Sequence, residues 1–169
     1  MGRGYGCICV KCGYHLLGNF GVGFMFPQVY HETIERARKG ELGDTYKRFF
    51  QENKNAAINC ENVMLQCTDC GEYEIDLELT AYLKKPDFQK ERNAKWSVAF
   101  PFPDTEYVTL FDLTVGYTKR MDYPHKCHKC NGKMRIIREK QFYKMIDNNE
   151  FLCPNCEMPM ELTEIMNWD

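Results

Sequence analysis

The most regular pattern in the chain is Glu72-Tyr73-Glu74-Ile75-Asp76-Leu77-Glu78-Leu79, where acids and apolar side chains alternate without a break. A period of two puts each set on one face of a pleated strand. Residues 62–83 are therefore expected to hold half-buried antiparallel strand, with the acids on its solvated face. Elsewhere the period changes. Tyr30, Ile34 and Ala37 recur at helical spacing, with Val29 and Thr33 alongside and Gly40 as a stop, which predicts a helix over 28–39. A second helix is predicted from Asp44 to about Asn53, with Tyr46, Phe49 and Phe50 as its apolar face. The short link Gly40-Glu41-Leu42-Gly43 makes the two a helical hairpin. Residues 4–26 read as two short strands, and Gly18, Gly21 and Gly23 mark bends or close packing, with no phosphate-loop pattern among them. Further along, Trp96 to Phe100 is expected as a strand ended by Pro101 and Pro103, and Tyr107 to Val115 as a strand or short helix. Lys133 to Arg138, Phe142 to Ile146 and Met158 to Met166 are expected as strands, with a turn at Asp147-Asn148-Asn149.

Cysteine usage changes the picture most. Eight of the ten cysteines form four CxxC pairs: Cys9 with Cys12, Cys67 with Cys70, Cys127 with Cys130, and Cys153 with Cys156. Each pair wraps the chain around one point and offers two thiolates, half of a tetrahedral site. Four halves imply two four-cysteine sites and two structural zinc ions per chain. Gly13 and Gly71 follow the second cysteine where a left-handed turn is useful, Asn131-Gly132 tolerates one, and Glu157 is the poor fit. A disulfide framework is disfavoured because Met1-Gly2-Arg3-Gly4-Tyr5-Gly6 carries no apolar leader segment, and a reducing cytoplasm is expected. Thioredoxin-type chemistry is disfavoured because no pair opens a convincing amphipathic helix.

The knuckles Cys9-Val10-Lys11-Cys12-Gly13-Tyr14 and Cys153-Pro154-Asn155-Cys156 resemble those of rubredoxin, and the four knuckles with their flanking strands, about half of the chain, resemble the zinc ribbon family in two copies. The resemblance implies metal and local fold and says little about function; iron in place of zinc, in an electron carrier, is the alternative it leaves. The Cys130-to-Cys153 interval is close to that of a zinc ribbon, so the third and fourth pairs are expected to share one ion and the first and second the other. Cys7, Cys60, His125 and His128 are left without an assigned role. The histidines flanking Cys127 are expected to support the site or face solvent.

Net charge is −2, and two four-thiolate zinc centres would bring it to −6, which argues against a general nucleic-acid binder. One local exception exists. Lys119 to Lys144 holds nine Lys/Arg against Asp122 and Glu139, a net +7, whereas Met145 to Asp169 holds six acids and no Lys/Arg. Mutual neutralisation on adjacent strands is the plain reading. A phosphate-facing patch of Lys126, Lys129, Lys133 and Arg135, with Tyr123, Phe142 and Tyr143 to stack on bases, is the sharper one. The motifs of zinc deaminases, zinc proteases and serine hydrolases are absent, and a four-cysteine site leaves no open coordination position, so no catalytic residue is expected. No apolar run is long enough to span a membrane.

The expected protein is α+β and non-enzymatic. Residues 1–83 form an N-terminal zinc ribbon carrying the helical hairpin, 84–120 an aromatic β-rich bridge that joins the ribbons, and 121–169 a C-terminal ribbon. A cytoplasmic protein-interaction or adaptor module, with a protein partner, is the expected role, ahead of nucleic-acid binding.

Overall fold

A computed structural model of the chain describes residues 2–89 and 107–168. The expected strand Trp96 to Phe100 lies outside the described residues. In chain order the elements are β1 (Gly2–Ile8), β2 (His15–Phe20), α1 (Phe26–Lys39), α2 (Asp44–Glu52), β3 (Ala56–Ile58), β4 (Asn62–Cys67), β5 (Tyr73–Leu77), β6 (Ala81–Lys84), α3 (Leu110–Gly116), β7 (Tyr117–Met121), β8 (Met134–Ile137), α4 (Glu139–Asp147) and β9 (Glu161–Trp168). Among the described residues these make four helices and three small antiparallel sheets, ordered β2-β1-β9, β3-β6-β7 and β5-β4-β8.

The chain divides into two compact units, each assembled from separated stretches. One comprises 1–23, 61–78 and 124–169, the other 24–60 and 79–123. This differs from the serial arrangement 1–83, 84–120 and 121–169 expected from sequence. The physical reason is strand pairing over long distance: β9 pairs with β1 and β8 with β4, so the C-terminal knuckles join the N-terminal ones.

In the first unit, β1 is a central strand with two different faces. Tyr5 and Cys7 point into the core, while Gly4 and Gly6 lie beneath the side chains of Met166 and Glu164. A Cβ on Gly4 would come within 2.8 Å of Met166 Cγ, and one on Gly6 within 2.7 Å of Glu164 Cγ, which explains the alternate glycines of this strand. The core gathers Tyr5, Phe20, Phe142, Phe151 and Tyr73. Tyr5 and Phe142 rings lie 5.1 Å apart, Phe142 and Phe151 5.1 Å, and Tyr73 and Phe151 4.6 Å, spacings of favourable aromatic pairs. Phe142 sits on α4, where a strand was expected over Phe142 to Ile146. Phe142, Met145 and Ile146 fall at i, i+3 and i+4 and all pack on this cluster, so the helical period wins over the short apolar run. Gln141 Oε1 accepts the Arg138 N–H at 2.9 Å and caps the start.

In the second unit, α1 and α2 form the expected hairpin. Gly40 closes α1 in a left-handed conformation, donating to the Ala37 and Arg36 carbonyls, and Arg36, Arg38 and Lys39 complement the dipole of its last turn. Tyr46 of α2 is buried and donates to the Leu79 carbonyl at 2.7 Å. The described part of the expected bridge belongs here. Tyr107 packs edge-on to Phe26, Thr109 and Asp112 form a capping box on α3, and β7 pairs with β6.

Candidate metal centres

All four CxxC segments adopt one backbone design. In each, the N–H of the residue after the second cysteine donates to the carbonyl of the first: Gly13 to Cys9 at 2.8 Å, Gly71 to Cys67 at 3.1 Å, Asn131 to Cys127 at 2.8 Å and Glu157 to Cys153 at 2.9 Å. The first cysteine's own N–H returns to the carbonyl of Tyr14, Glu72, Gly132 or Met158. The residues that flank each knuckle pair in the same register: Ile8 with His15, Gln66 with Tyr73, Lys126 with Lys133, and Leu152 with Pro159. The closing turn requires positive φ, and Gly13, Gly71, Asn131 and Glu157 have φ of 73°, 74°, 59° and 58°. Glu157 is thus held in the conformation least suited to it.

The knuckles combine in a nested order, first with fourth and second with third. Cys9, Cys12, Cys153 and Cys156 form one tetrad, and Cys67, Cys70, Cys127 and Cys130 the other, the four sulfurs of each within 4.8 Å of one another. This corrects the expectation that the first pair joins the second and the third joins the fourth. The interval from Cys130 to Cys153 holds α4 and its flanks, and the sheets bring β1 to β9 and β4 to β8 instead.

The geometry fits a metal. Sulfur–sulfur distances are 3.4 Å for Cys9 with Cys156, 3.5 Å for Cys12 with Cys153, 3.4 Å for Cys67 with Cys130 and 3.7 Å for Cys70 with Cys127. A tetrahedral ion with metal–sulfur bonds of about 2.3 Å needs sulfurs about 3.8 Å apart. A disulfide would need about 2.05 Å, and all ten cysteines are free. In each tetrad the first cysteine of each knuckle is buried and the second reaches further toward solvent.

The protonation pattern suits the same purpose. The backbone N–H of Cys12 leads in pulling the Cys9 thiol down to about 6, and that of Cys70 leads in pulling Cys67 down to about 7. The Tyr14 N–H favours the Cys12 thiolate, yet the Cys153 sulfur and burial outweigh it and push Cys12 up to about 12. Cys130 is likewise pushed up to about 12 by the Cys67 and Cys70 sulfurs, against the Gly132 N–H. One sulfur ionises easily and the next resists joining it, the behaviour of a cluster that needs a cation to hold all its thiolates.

Residues beside the tetrads tie the two centres together. The Tyr14 hydroxyl donates to Glu72 Oε1 at 2.7 Å, and Lys129 Nζ donates to Glu72 Oε2 at 2.8 Å. A Cβ on Gly71 would touch Pro154 at 3.9 Å, and Tyr73 donates to the Leu152 carbonyl at 3.1 Å. These contacts were not read from sequence; the only signal for them was the acid row. That row is not a bare solvated face. Glu72 pairs with Lys129, Glu74 with His128 at 2.9 Å, Asp76 with His125 at 3.7 Å, and Glu78 with Arg138 at 2.7 Å. Of the basic stretch, Lys129 and Arg138 are thus paired by these acids, whereas neutralisation by Met145 to Asp169 was the sequence expectation. Sheet order supplies the reason, since β8 lies beside β4 and not β9.

Cys7 and Cys60 stand outside both tetrads. Cys7 occupies the position two before Cys9, matched by Leu65, His125 and Phe151 before the other knuckles, and all four are buried. Burial pushes the Cys7 thiol up to about 11 and the Cys60 thiol up to about 12. His125 is buried with Nε2 3.1 Å from the Glu78 carbonyl, and His128 is exposed. Of the four residues considered for phosphate contact, all are exposed. Lys129 meets Glu72, Arg135 Nε donates to Gln66 at 3.0 Å, and Lys126 faces Lys133 across the third knuckle.

No protein-family model, no curated protein and no solved structure matches this chain. Fold and site together define a mixed helix-and-sheet protein with two cysteine tetrads, each able to hold a metal ion. Among the described residues no helix is long and apolar enough to cross a membrane.

Proposed function

We infer that the metal is zinc, that both centres are structural, and that the first unit is a pair of zinc ribbons interleaved in sequence. The closed four-sulfur tetrads carry this reading. Four thiolates fill a tetrahedral ion and leave no position for substrate, and the small sheets they tie together gain folding free energy from the metal. The protein acts by presenting a surface to a protein partner in a reducing cytoplasm; it is not an enzyme. Eight metal-bound thiolates in a chain with these buried, weakly acidic spare thiols suit that compartment. Elemental analysis of protein purified without added metal should find two zinc per chain and a colourless solution. Iron with visible thiolate charge-transfer bands would replace the reading with an electron carrier. In-cell cross-linking should then yield a discrete protein partner, and salt-sensitive retention on mixed RNA and DNA in its place would favour the nucleic-acid alternative.

A further inference from the structure

In the sheet β2-β1-β9 both outer strands are edges, but they are not alike. β2 is backed by the sheet β5-β4-β8: Gly18 lies against Met64 and Ile75, and Gly21 bridges to Asn62. β9 pairs only with β1 among the described residues, and Glu161 and residues 163–167 along it are exposed. At 8 residues it is the longest strand among the described residues, and Glu161-Leu162-Thr163-Glu164-Ile165-Met166-Asn167-Trp168 holds no Lys or Pro, two of the usual devices that discourage an added strand. A single bulge between Gly6 and Cys7 is the one irregularity along it. Ile165 is 57% exposed although it pairs with the buried Tyr5, and Met166 is also exposed.

The charges say what would fit. In the acid row Glu72 and Glu78 are each met by a cation, Lys129 and Arg138, whereas Glu161 and Glu164 have no ion pair among the described residues. Glu164 lies on the glycine face of the sheet, and Ile165 on the opposite face beside Tyr5. A strand added beside β9 would place one set of side chains against Glu164 and the alternate set against Ile165.

We propose that the β9 edge is a docking site for an extended segment of a partner protein in which Lys or Arg alternates with aliphatic residues. Backbone hydrogen bonds to the outer edge supply affinity, and the cation opposite Glu164 with the aliphatic beside Ile165 supplies selection. Self-pairing of two β9 strands would set acid-rich strands against each other, which disfavours a second copy as occupant. The proposal rests on the reading of the protein as a surface presented to a partner and names the surface.

The test uses the metal-loaded full chain and two short peptides, one alternating lysine with valine and one alternating glutamate with valine. The lysine peptide should bind saturably, slow amide exchange along β9, and weaken as salt rises. Glu164→Lys should weaken that binding on the order of tenfold and turn the preference toward the glutamate peptide. Ile165→Lys should weaken both peptides. Absence of saturable binding, or binding indifferent to Glu164→Lys and Ile165→Lys, overturns the proposal. A concentration-dependent dimer abolished by Ile165→Lys overturns it in favour of a second copy. If the edge fails while in-cell cross-links to a partner arise from other surfaces, the functional reading stands; if no surface cross-links to a partner, that reading fails as well.

Discussion

Glu157 occupies the position filled by Gly13, Gly71 and Asn131 in the other knuckles, with φ of 58°. A side chain with a Cβ in that region costs about 1–2 kcal/mol, and replacing it with glycine loosens the unfolded chain by about 0.5–1 kcal/mol. Glu157 is exposed, and its N–H bond to Cys153 survives the change. Glu157→Gly should therefore stabilise the metal-loaded protein by about 0.5–1 kcal/mol, read as a higher denaturant midpoint at unchanged slope; a lower midpoint would contradict the strain argument. The spare thiols give a second expectation at this scale. A folded-state value raised to about 11 for Cys7 and about 12 for Cys60 means the thiolate is scarce at neutral pH and becomes populated only as pH rises toward those values. Mapped alkylation of the native protein should leave both unlabelled until denaturant is added, and native-state labelling of Cys60 would show that its burial is transient.

Elements were legible where a local period or a spacing specified them. The CxxC knuckles, the alternation around β5 and the α1–α2 hairpin all belong to that kind. α4 was not, because a five-residue apolar run carries too few turns to separate period two from 3.6, and burial of Phe142 decided it. The role of the acid row was not legible either, since its partners arrive from residues 125–138, far along the chain. Glu78 shows what that ladder contributes. Its carboxylate is 2% exposed and receives two bonds from Arg138, at 2.7 and 3.0 Å. Arg138→Ala removes both and keeps the backbone N–H that Gln141 caps at the start of α4. Because the guanidinium is half exposed, water can reach part of the gap, so the cost should be about 2 kcal/mol, within the range for a stranded buried acceptor. Urea unfolding measures it, and adding Glu78→Gln should recover part of the loss; equal loss in single and double variants would show that the pair is uncoupled.

At the scale of the whole molecule, the nested order of the knuckles is the feature no local signal carried. The pairing of β1 with β9 spans nearly the entire chain, and a short interval between two CxxC pairs pointed the other way. Both tetrads lie in the unit made of 1–23, 61–78 and 124–169, and the other unit holds no tetrad among the described residues. Chelation should therefore abolish amide protection in β1, β4, β8 and β9 first, with Phe26–Lys39 retaining protection at chelator concentrations that strip both ions; simultaneous loss would show that the second unit depends on metal too. The ligand sets themselves can be read directly by loading the protein with NMR-active cadmium and recording scalar couplings from each ion to cysteine β-protons. Two cadmium resonances should appear, one coupled to Cys9, Cys12, Cys153 and Cys156 and the other to Cys67, Cys70, Cys127 and Cys130. Coupling of one ion to Cys9, Cys12, Cys67 and Cys70 and of the other to Cys127, Cys130, Cys153 and Cys156, or a single resonance, would contradict the nested arrangement.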